Sequence, residues 1–164
     1  MDSVNRSCPI TAYPCESYTD FLDGKCMNCS MFRSSGCPVF GYDSIHWRRT
    51  LVQLGQTRTY FQTNNAAPFC QFGYKVDILT WNQKTQWGYL TIKLSNGEEE
   101  TQVRVTRKSL KFERYVESSF LAQFKIDVQP VKEISLKFCR GGGIQPRMKL
   151  RILSIRLSPL QNNL

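Results

Sequence analysis

The chain has 164 residues, of which 41 % are hydrophobic and 21 % charged, and a formal net charge of +9. That content suffices to bury one core of ordinary size and excludes global disorder, and no apolar run approaches the ~20 residues of a membrane-spanning helix. The charge is lopsided: residues 101–164 hold thirteen Lys/Arg against four Asp/Glu, so the last third carries the whole excess and favours polyanions such as nucleic acid, sulfated glycan or anionic lipid.

The start, Met1 to Ser7, is polar and lacks the basic and apolar regions of a secretory signal. Yet five of the seven cysteines (Cys8, Cys15, Cys26, Cys29 and Cys37) fall within thirty residues, a density that fits an oxidising compartment. The expectation is a piece, or a mature segment, of a longer secreted chain. Cys26-Met-Asn-Cys29 has the spacing of a zinc knuckle, but no second knuckle exists and the single histidine, His46, stands apart. A redox role is also a poor fit, because polar turn residues surround the pair. Disulfides fit better, with adjacent loops closing as Cys15–Cys26 and Cys29–Cys37. Each such loop of ~10 residues contributes somewhat under 3 kcal/mol by restricting the unfolded chain. No metal and no cofactor is implied. Asn5-Arg-Ser7 and Asn28-Cys-Ser30 are glycosylation acceptors in a secreted chain.

Between Cys15 and Cys26, the pattern predicts one capped helical turn, with Ser17 as N-cap, Asp20 three residues on and Gly24 as a left-handed stop. Residues 41–55 fit a helix face only roughly, with glycines at both ends. Arg58 to Thr63 alternates and is β-branched and aromatic, so it reads as a strand, and Asn64-Asn-Ala-Ala-Pro68 breaks it. From residue 69 onward period two dominates. Phe72, Tyr74, Val76 and Ile78 alternate, as do Leu90, Ile92 and Leu94. Asn96-Gly97 predicts a type I′ hairpin leading to Val103 and Val105. Val116, Phe120, Ala122, Phe124, Ile126 and Val128 form a long alternating run, and Ile134, Leu136 and Phe138 another. At the end the parity slips between Ile152 and Leu153, which predicts a bulge or burial of both faces. A basic amphipathic helix over 147–157 is the alternative. Alternating strands with hardly any helix give the fold class: mainly β, an antiparallel β-sandwich.

The stretches Ser7-Cys-Pro-Ile-Thr-Ala-Tyr-Pro-Cys15 through Gly36-Cys-Pro-Val-Phe-Gly-Tyr42, Ala67 to Asn82, Leu90 to Leu94 and Met148 to Leu153 resemble the C-terminal part of the pancreatic-type lipase family, in its phospholipase A(1)-like branch. The resemblance implies a remnant of an α/β-hydrolase domain over 1–65, disulfide-rich, followed by a PLAT (lipoxygenase-homology) sandwich over 66–164. It implies that Cys15–Cys26 and Cys29–Cys37 are family bridges and that Cys8 pairs with Cys70, leaving Cys139 over; Cys70–Cys139 is the alternative. It also implies a parent chemistry of ester hydrolysis at the sn-1 position of a glycerophospholipid through a Ser-Asp-His triad. No Gly-x-Ser-x-Gly elbow occurs among these residues, and His46 matches no family histidine, so it is expected at the surface and the chain is expected to be inactive alone.

Two features are candidates for binding. The polar loop Thr80 to Gly88 holds Trp81 and Trp87, residues suited to a lipid–water boundary because a large apolar ring carries one N–H donor; alternatively both rings pack on the sandwich edge. The basic set Arg104, Arg107, Lys108, Lys111, Arg114, Arg147, Lys149 and Arg151 suits a phospholipid or membrane surface or heparan sulfate. Nucleic acid fits poorly with a secreted, disulfide-rich module lacking an aromatic-basic binding motif.

Overall fold

The computed structural model describes residues 8, 10–30, 32, 36–55, 58–140 and 149–160. The chain divides into two compact units, Met1–Tyr74 with Pro159–Leu164, and Lys75–Ser158.

In the first unit four two-residue strands, β1 (Ile10–Thr11), β2 (Tyr13–Pro14), β3 (Val39–Phe40) and β4 (Thr59–Tyr60), make two antiparallel pairs, β1 with β3 and β2 with β4. The strand expected over Arg58–Thr63 is therefore short. Beyond Tyr60 side chains take over: the Phe61 ring meets Phe40 at 4.6 Å, and the Asn64 N–H turns back to the Phe69 carbonyl. Helix α1 (Tyr18–Leu22) starts at Ser17, whose hydroxyl oxygen accepts the Asp20 N–H and in turn donates to the Asp20 carboxylate. Gly24, at φ +71°, follows its end, the left-handed position that favours glycine. The helix places Phe21 in a cluster with Tyr13, Tyr18 and Tyr60. A 3-10 turn (Tyr42–Ser44) leads into α2 (Ile45–Gln53), which buries none of its residues; its Trp47 meets Phe32 edge-on at 5.7 Å.

Three disulfides lie in this unit: Cys15–Cys26, Cys29–Cys37 and Cys8–Cys70, the last with Cα atoms 5.4 Å apart. Cys26 and Cys29 thus belong to different bridges, which displaces the zinc and redox readings of their spacing. Cys8 and Cys70 are buried with Ile10, against Phe61 and Phe72. Cys139 is free and exposed, so it has no bond to Cys70.

Seven longer strands follow: β5 (Phe72–Thr80), β6 (Gln86–Ser95), β7 (Glu100–Arg104), β8 (Leu110–Phe112), β9 (Glu117–Phe124), β10 (Glu133–Cys139) and β11 (Ile152–Pro159). One sheet has the order β10-β6-β7, with β8 also on β6, and the other β11-β5-β9. The fold is mainly β, with the antiparallel sheets expected of a β-sandwich. Its core is the set that period two marks: Val76, Ile78, Leu90, Ile92, Leu94, Phe120, Ala122 and Phe124 are all buried. Each large member contributes roughly 1.5–3 kcal/mol by leaving water.

The structure corrects two expectations in this region and decides between the alternatives for the last strand. The β6–β7 hairpin is present, but Ser95 pairs with Glu100 and the Asn96 N–H donates to the Glu99 carbonyl, so Gly97 and Glu98 are its central residues and the turn is not the type I′ expected on Asn96-Gly97. Asn96 accepts the N–H groups of both Glu98 and Glu99 through its side chain, a local bond that keeps it out of the central position. The alternation after Phe124 breaks: Ile126 is exposed and outside the strand, while Val128 is buried again. Residues 152–157 are strand and not helix. There Leu153 and Ser154 are consecutive and exposed, while Ile152, Ile155 and Leu157 are partly buried. The Trp81 N–H donates to Arg151 and the Leu160 N–H to Gly73, so eight steps from Gly73 to Trp81 face nine from Arg151 to Leu160. One extra residue sits on β11, a bulge, and it accounts for the slip in parity.

Candidate functional site

At the end of β5 burial alternates, and the buried positions are polar. Thr80 and Asn82 are buried, and Trp81 between them is 41 % exposed. Each buried polar group must find a partner, and the partners come from distant segments. The Thr80 hydroxyl donates to the Glu113 carbonyl (2.6 Å), and the Tyr115 N–H donates to the Thr80 carbonyl (2.7 Å). Asn82 accepts the Arg151 N–H (2.8 Å) and donates to the Phe112 carbonyl (3.5 Å). Two side chains thereby tie the β8–β9 turn and the entry to β11 onto the β5–β6 loop.

What these clamps present outward is aromatic and cationic. The Arg151 guanidinium stands 5.1 Å from the centre of the Trp81 ring, and that of Arg114 stands 4.8 Å from the Tyr115 ring while donating to the Tyr115 hydroxyl (3.3 Å). Stacked cations of this kind contribute ≈ 0.5–1 kcal/mol at exposed sites. Tyr115 is 59 % exposed and has φ +58°, the left-handed region in which a bulky residue is an outlier. Its N–H bond to Thr80 holds it there. Trp87, 50 % exposed, lies opposite Lys111 in the β6–β8 pair, and Lys111 pairs with Glu113 at 2.8 Å.

Gln86 and Gly88, on either side of Trp87, are buried. A Cβ on Gly88 would lie 2.5 Å from the Phe138 ring and 2.6 Å from the Cys139 carbonyl, so only glycine lets β6 and β10 close here.

Of the residues singled out from the sequence, Trp81, Trp87, Lys111, Arg114 and Arg151 therefore share one chain of contacts. Arg104 does not. Its guanidinium lies 3.9 Å from the Tyr89 ring, and its Nε donates to the Thr106 carbonyl. Arg107 and Lys108 are exposed on the excursion that leaves β6 opposite Thr91 and rejoins it at Gly88. Lys149 is exposed just before β11. Arg147 and Asn5 lie outside the described residues. Asn28 is exposed, with its side-chain oxygen accepting the Ser30 N–H. His46 is exposed on α2, 4.0 Å from the Asp43 carboxylate.

The first 69 residues match the Lipase family model. Over its whole length the chain is 72 % identical to lipase member H of Danio rerio, covering 36 % of that protein. It is 39 % identical to lipase member H of Oryctolagus cuniculus over 98 % of this chain and 36 % of the relative. Pancreatic triacylglycerol lipase of Equus caballus is 27 % identical over 81 % of this chain and 28 % of that protein. The chain belongs to the pancreatic-type lipase family, in its lipase H branch. It spans about a third of the length of the lipase H relatives it matches.

One buried titratable group of this lipase-family chain lies away from the aromatic end. Asp77 is buried on β5, which opposes charge, but hydrogen bonds from Ser119 and Lys75 and the charges of Lys75 and Arg156 outweigh burial and hold its carboxyl below the usual range. Sequence reading missed Tyr115. The signal was present in Glu113-Arg114-Tyr115-Val116, an aromatic in a polar turn beside an arginine, but its strained backbone depends on Thr80, thirty-five residues earlier.

Proposed function

We propose that this chain is the part of a secreted, phospholipase A(1)-like lipase that sets the enzyme on a lipid–water surface. In this reading residues 1–65 are the end of the catalytic α/β-hydrolase domain and residues 66–164 the PLAT module. The parent protein hydrolyses the sn-1 ester of glycerophospholipids, and this stretch supplies none of the Ser-Asp-His triad. Asn28 and Asn5 are its glycosylation acceptors. Support for the division comes from α2, whose Ile45 and Val52 are exposed, as expected of a helix whose apolar face belongs to a larger domain.

The observation that carries the surface role is the pairing of exposed rings with cations, Trp81 with Arg151 and Tyr115 with Arg114. Rings at headgroup depth and cations beside phosphates are what an interface rewards. Flotation of the purified chain with vesicles of phosphatidylcholine, with and without phosphatidic acid, tests it. Binding is expected only to the acidic vesicles. Arg114→Glu/Arg151→Glu is expected to weaken it by at least about thirtyfold, from ~1 kcal/mol per lost cation. Trp81→Ala/Trp87→Ala is expected to abolish flotation without changing elution from heparin. Equal flotation of wild type and both variants would refute the reading.

A second reading, a stand-alone module for heparan sulfate, rests on Arg107 and Lys108, which are exposed outside the aromatic contacts. It predicts late elution from heparin that Arg107→Glu/Lys108→Glu abolishes.

A further inference from the structure

Among the described residues of the second unit six large apolar side chains are exposed, and four of them, Trp81, Tyr115, Val116 and Leu153, lie at one end of the β11-β5-β9 sheet. The bulge on β11 accounts for Leu153. Ile155 and Leu157 are partly buried, so unbroken alternation would turn Leu153 and Arg151 inward as well. The extra residue reverses the parity: Ile152 is partly buried, and Arg151 and Leu153 on either side of it are exposed. On β5, Val76, Ile78 and Thr80 lie on the core side, so Leu79 and Trp81 share the outer side. The Trp81 N–H donates to Arg151 and the Leu160 N–H to Gly73, so the two strands run antiparallel. Two steps from Trp81 and two from Arg151 therefore bring Leu79 beside Leu153. Tyr115 and Val116 adjoin them through the Tyr115–Thr80 bond. Trp87 belongs elsewhere. Phe112 of β8 meets Phe120 of β9 at 6.2 Å, so the inner sides of the two sheets face each other. Trp87 stands between the buried Gln86 and Gly88, and Gly88 lies against Phe138, whose ring meets Phe112. Trp87 thus points outward from the opposite sheet.

We infer that the chain docks on an anionic phospholipid bilayer by one face, the outer side of β11-β5-β9 at its Trp81 end. Leu153 is an apolar anchor beside Trp81, and the opposite face, with Trp87, stays in water. That assignment rests on the surface role proposed above and adds which side of the sandwich meets the lipid. Single exposed apolar residues are ordinary, but a contiguous group bordered by charge marks an interaction surface. The border is cationic where the rings are, Arg151 on Trp81 and Arg114 on Tyr115, which suits anionic headgroups above an acyl boundary better than a neutral apolar partner. The bulge gains a purpose, since it is what turns Arg151 and Leu153 outward together. One charge opposes the role. Glu117 is exposed on the same side of β9 as Ser119, which bonds Asp77 of β5, so it brings a carboxylate to the margin of the patch.

Flotation of the full 164-residue chain with vesicles of phosphatidylcholine and phosphatidic acid tests the face. Leu153→Ser, a change at an exposed position, is expected to weaken binding about fivefold, from half the worth of burying a whole leucine. Glu117→Gln is expected to strengthen it about fivefold, from one repelling charge removed. Trp87→Ala alone is expected to leave it unchanged. Fluorescence gives a second readout, with bromine on the acyl chains of the phosphatidylcholine as quencher. Trp47→Phe/Trp87→Phe, which keeps Trp81, is expected to be quenched on vesicles. Trp47→Phe/Trp81→Phe, which keeps Trp87, is expected not to be, at lipid concentrations where that variant floats. Quenching of Trp87 equal to that of Trp81, or flotation indifferent to both Leu153→Ser and Glu117→Gln, would overturn the assignment and leave the surface role standing. A chain that does not float with the acidic vesicles at all would remove both.

Discussion

Asn82→Ala strikes the point where the aromatic end is held together. The side chain is 2 % exposed and makes two bonds, accepting from Arg151 at 2.8 Å and donating to Phe112 at 3.5 Å. The first is a strong bond, but Arg151 is exposed, so water can replace Asn82 at its N–H. That loss is at the low end of the range for a hydrogen bond, ~0.5–1 kcal/mol. The second bond is long, and the Phe112 carbonyl stays opposite Gln86 in the β6–β8 ladder, so its loss also costs ~0.5–1 kcal/mol. Together the substitution is expected to destabilise the sandwich by about 1–2 kcal/mol. A domain of this size shifts its midpoint by ~4–8 °C per kcal/mol, so the melt followed by circular dichroism should fall by about 8 °C. The same variant should lose vesicle flotation below its melting temperature, because the Trp81–Arg151 pair depends on the strand that Asn82 ties down. A melt within 2 °C of wild type would show that the clamp carries no energy and would sink this reasoning.

Three further outcomes follow from other parts of the structure. Gly88→Ala drives a methyl group against the Phe138 ring and the Cys139 carbonyl, and should cost ~1–3 kcal/mol in urea denaturation; Phe138→Leu in that background should recover only part, since the carbonyl stays. Asp77 has a folded pKa below its unfolded value of ~3.9, so its stabilisation is complete above that pH and is lost as pH falls through the folded value; melts between pH 5 and 2 should drop in wild type and drop less in Asp77→Asn. Replacing Cys8 and Cys70 together by serine opens a loop of 62 residues and should cost about 4 kcal/mol in the chain-entropy account, measured by denaturation with the two short bridges intact; a loss under 1 kcal/mol would contradict it.

The comparison of sequence with structure separates local from distant causes. Leu90, Ile92 and Leu94 were legible because a strand with one buried face cannot slip by a residue without exposing all three. The α1 cap was legible because Ser17 and Asp20 satisfy each other within one turn. The bulge on β11 was legible as a slip in parity, since two consecutive exposed residues are the direct imprint of an extra one. The turn after Ser95 was misjudged for an equally local reason. Asn-Gly favours positive φ at both positions, but Asn96 instead spends its side-chain oxygen on two N–H groups ahead of it, and only Gly97 takes positive φ.

The candidate site was legible only as a composition of tryptophans and basic residues. Nothing along the chain says which of eight cations stand beside a ring. That choice is made by Thr80 and Asn82, two small polar residues in core positions. Their unmet hydrogen bonds draw Glu113, Tyr115 and Arg151 onto one loop. Arg104 has the same charge and a ring of its own, yet it sits on β7 over Tyr89, held by the Thr106 carbonyl. The physical rule is that charge reports affinity for a class of partner, whereas the buried polar residues decide where on the fold that affinity is displayed. It follows that substitutions at Thr80 or Asn82, which touch no ligand, should disturb surface binding more than loss of Arg104, which is exposed and basic.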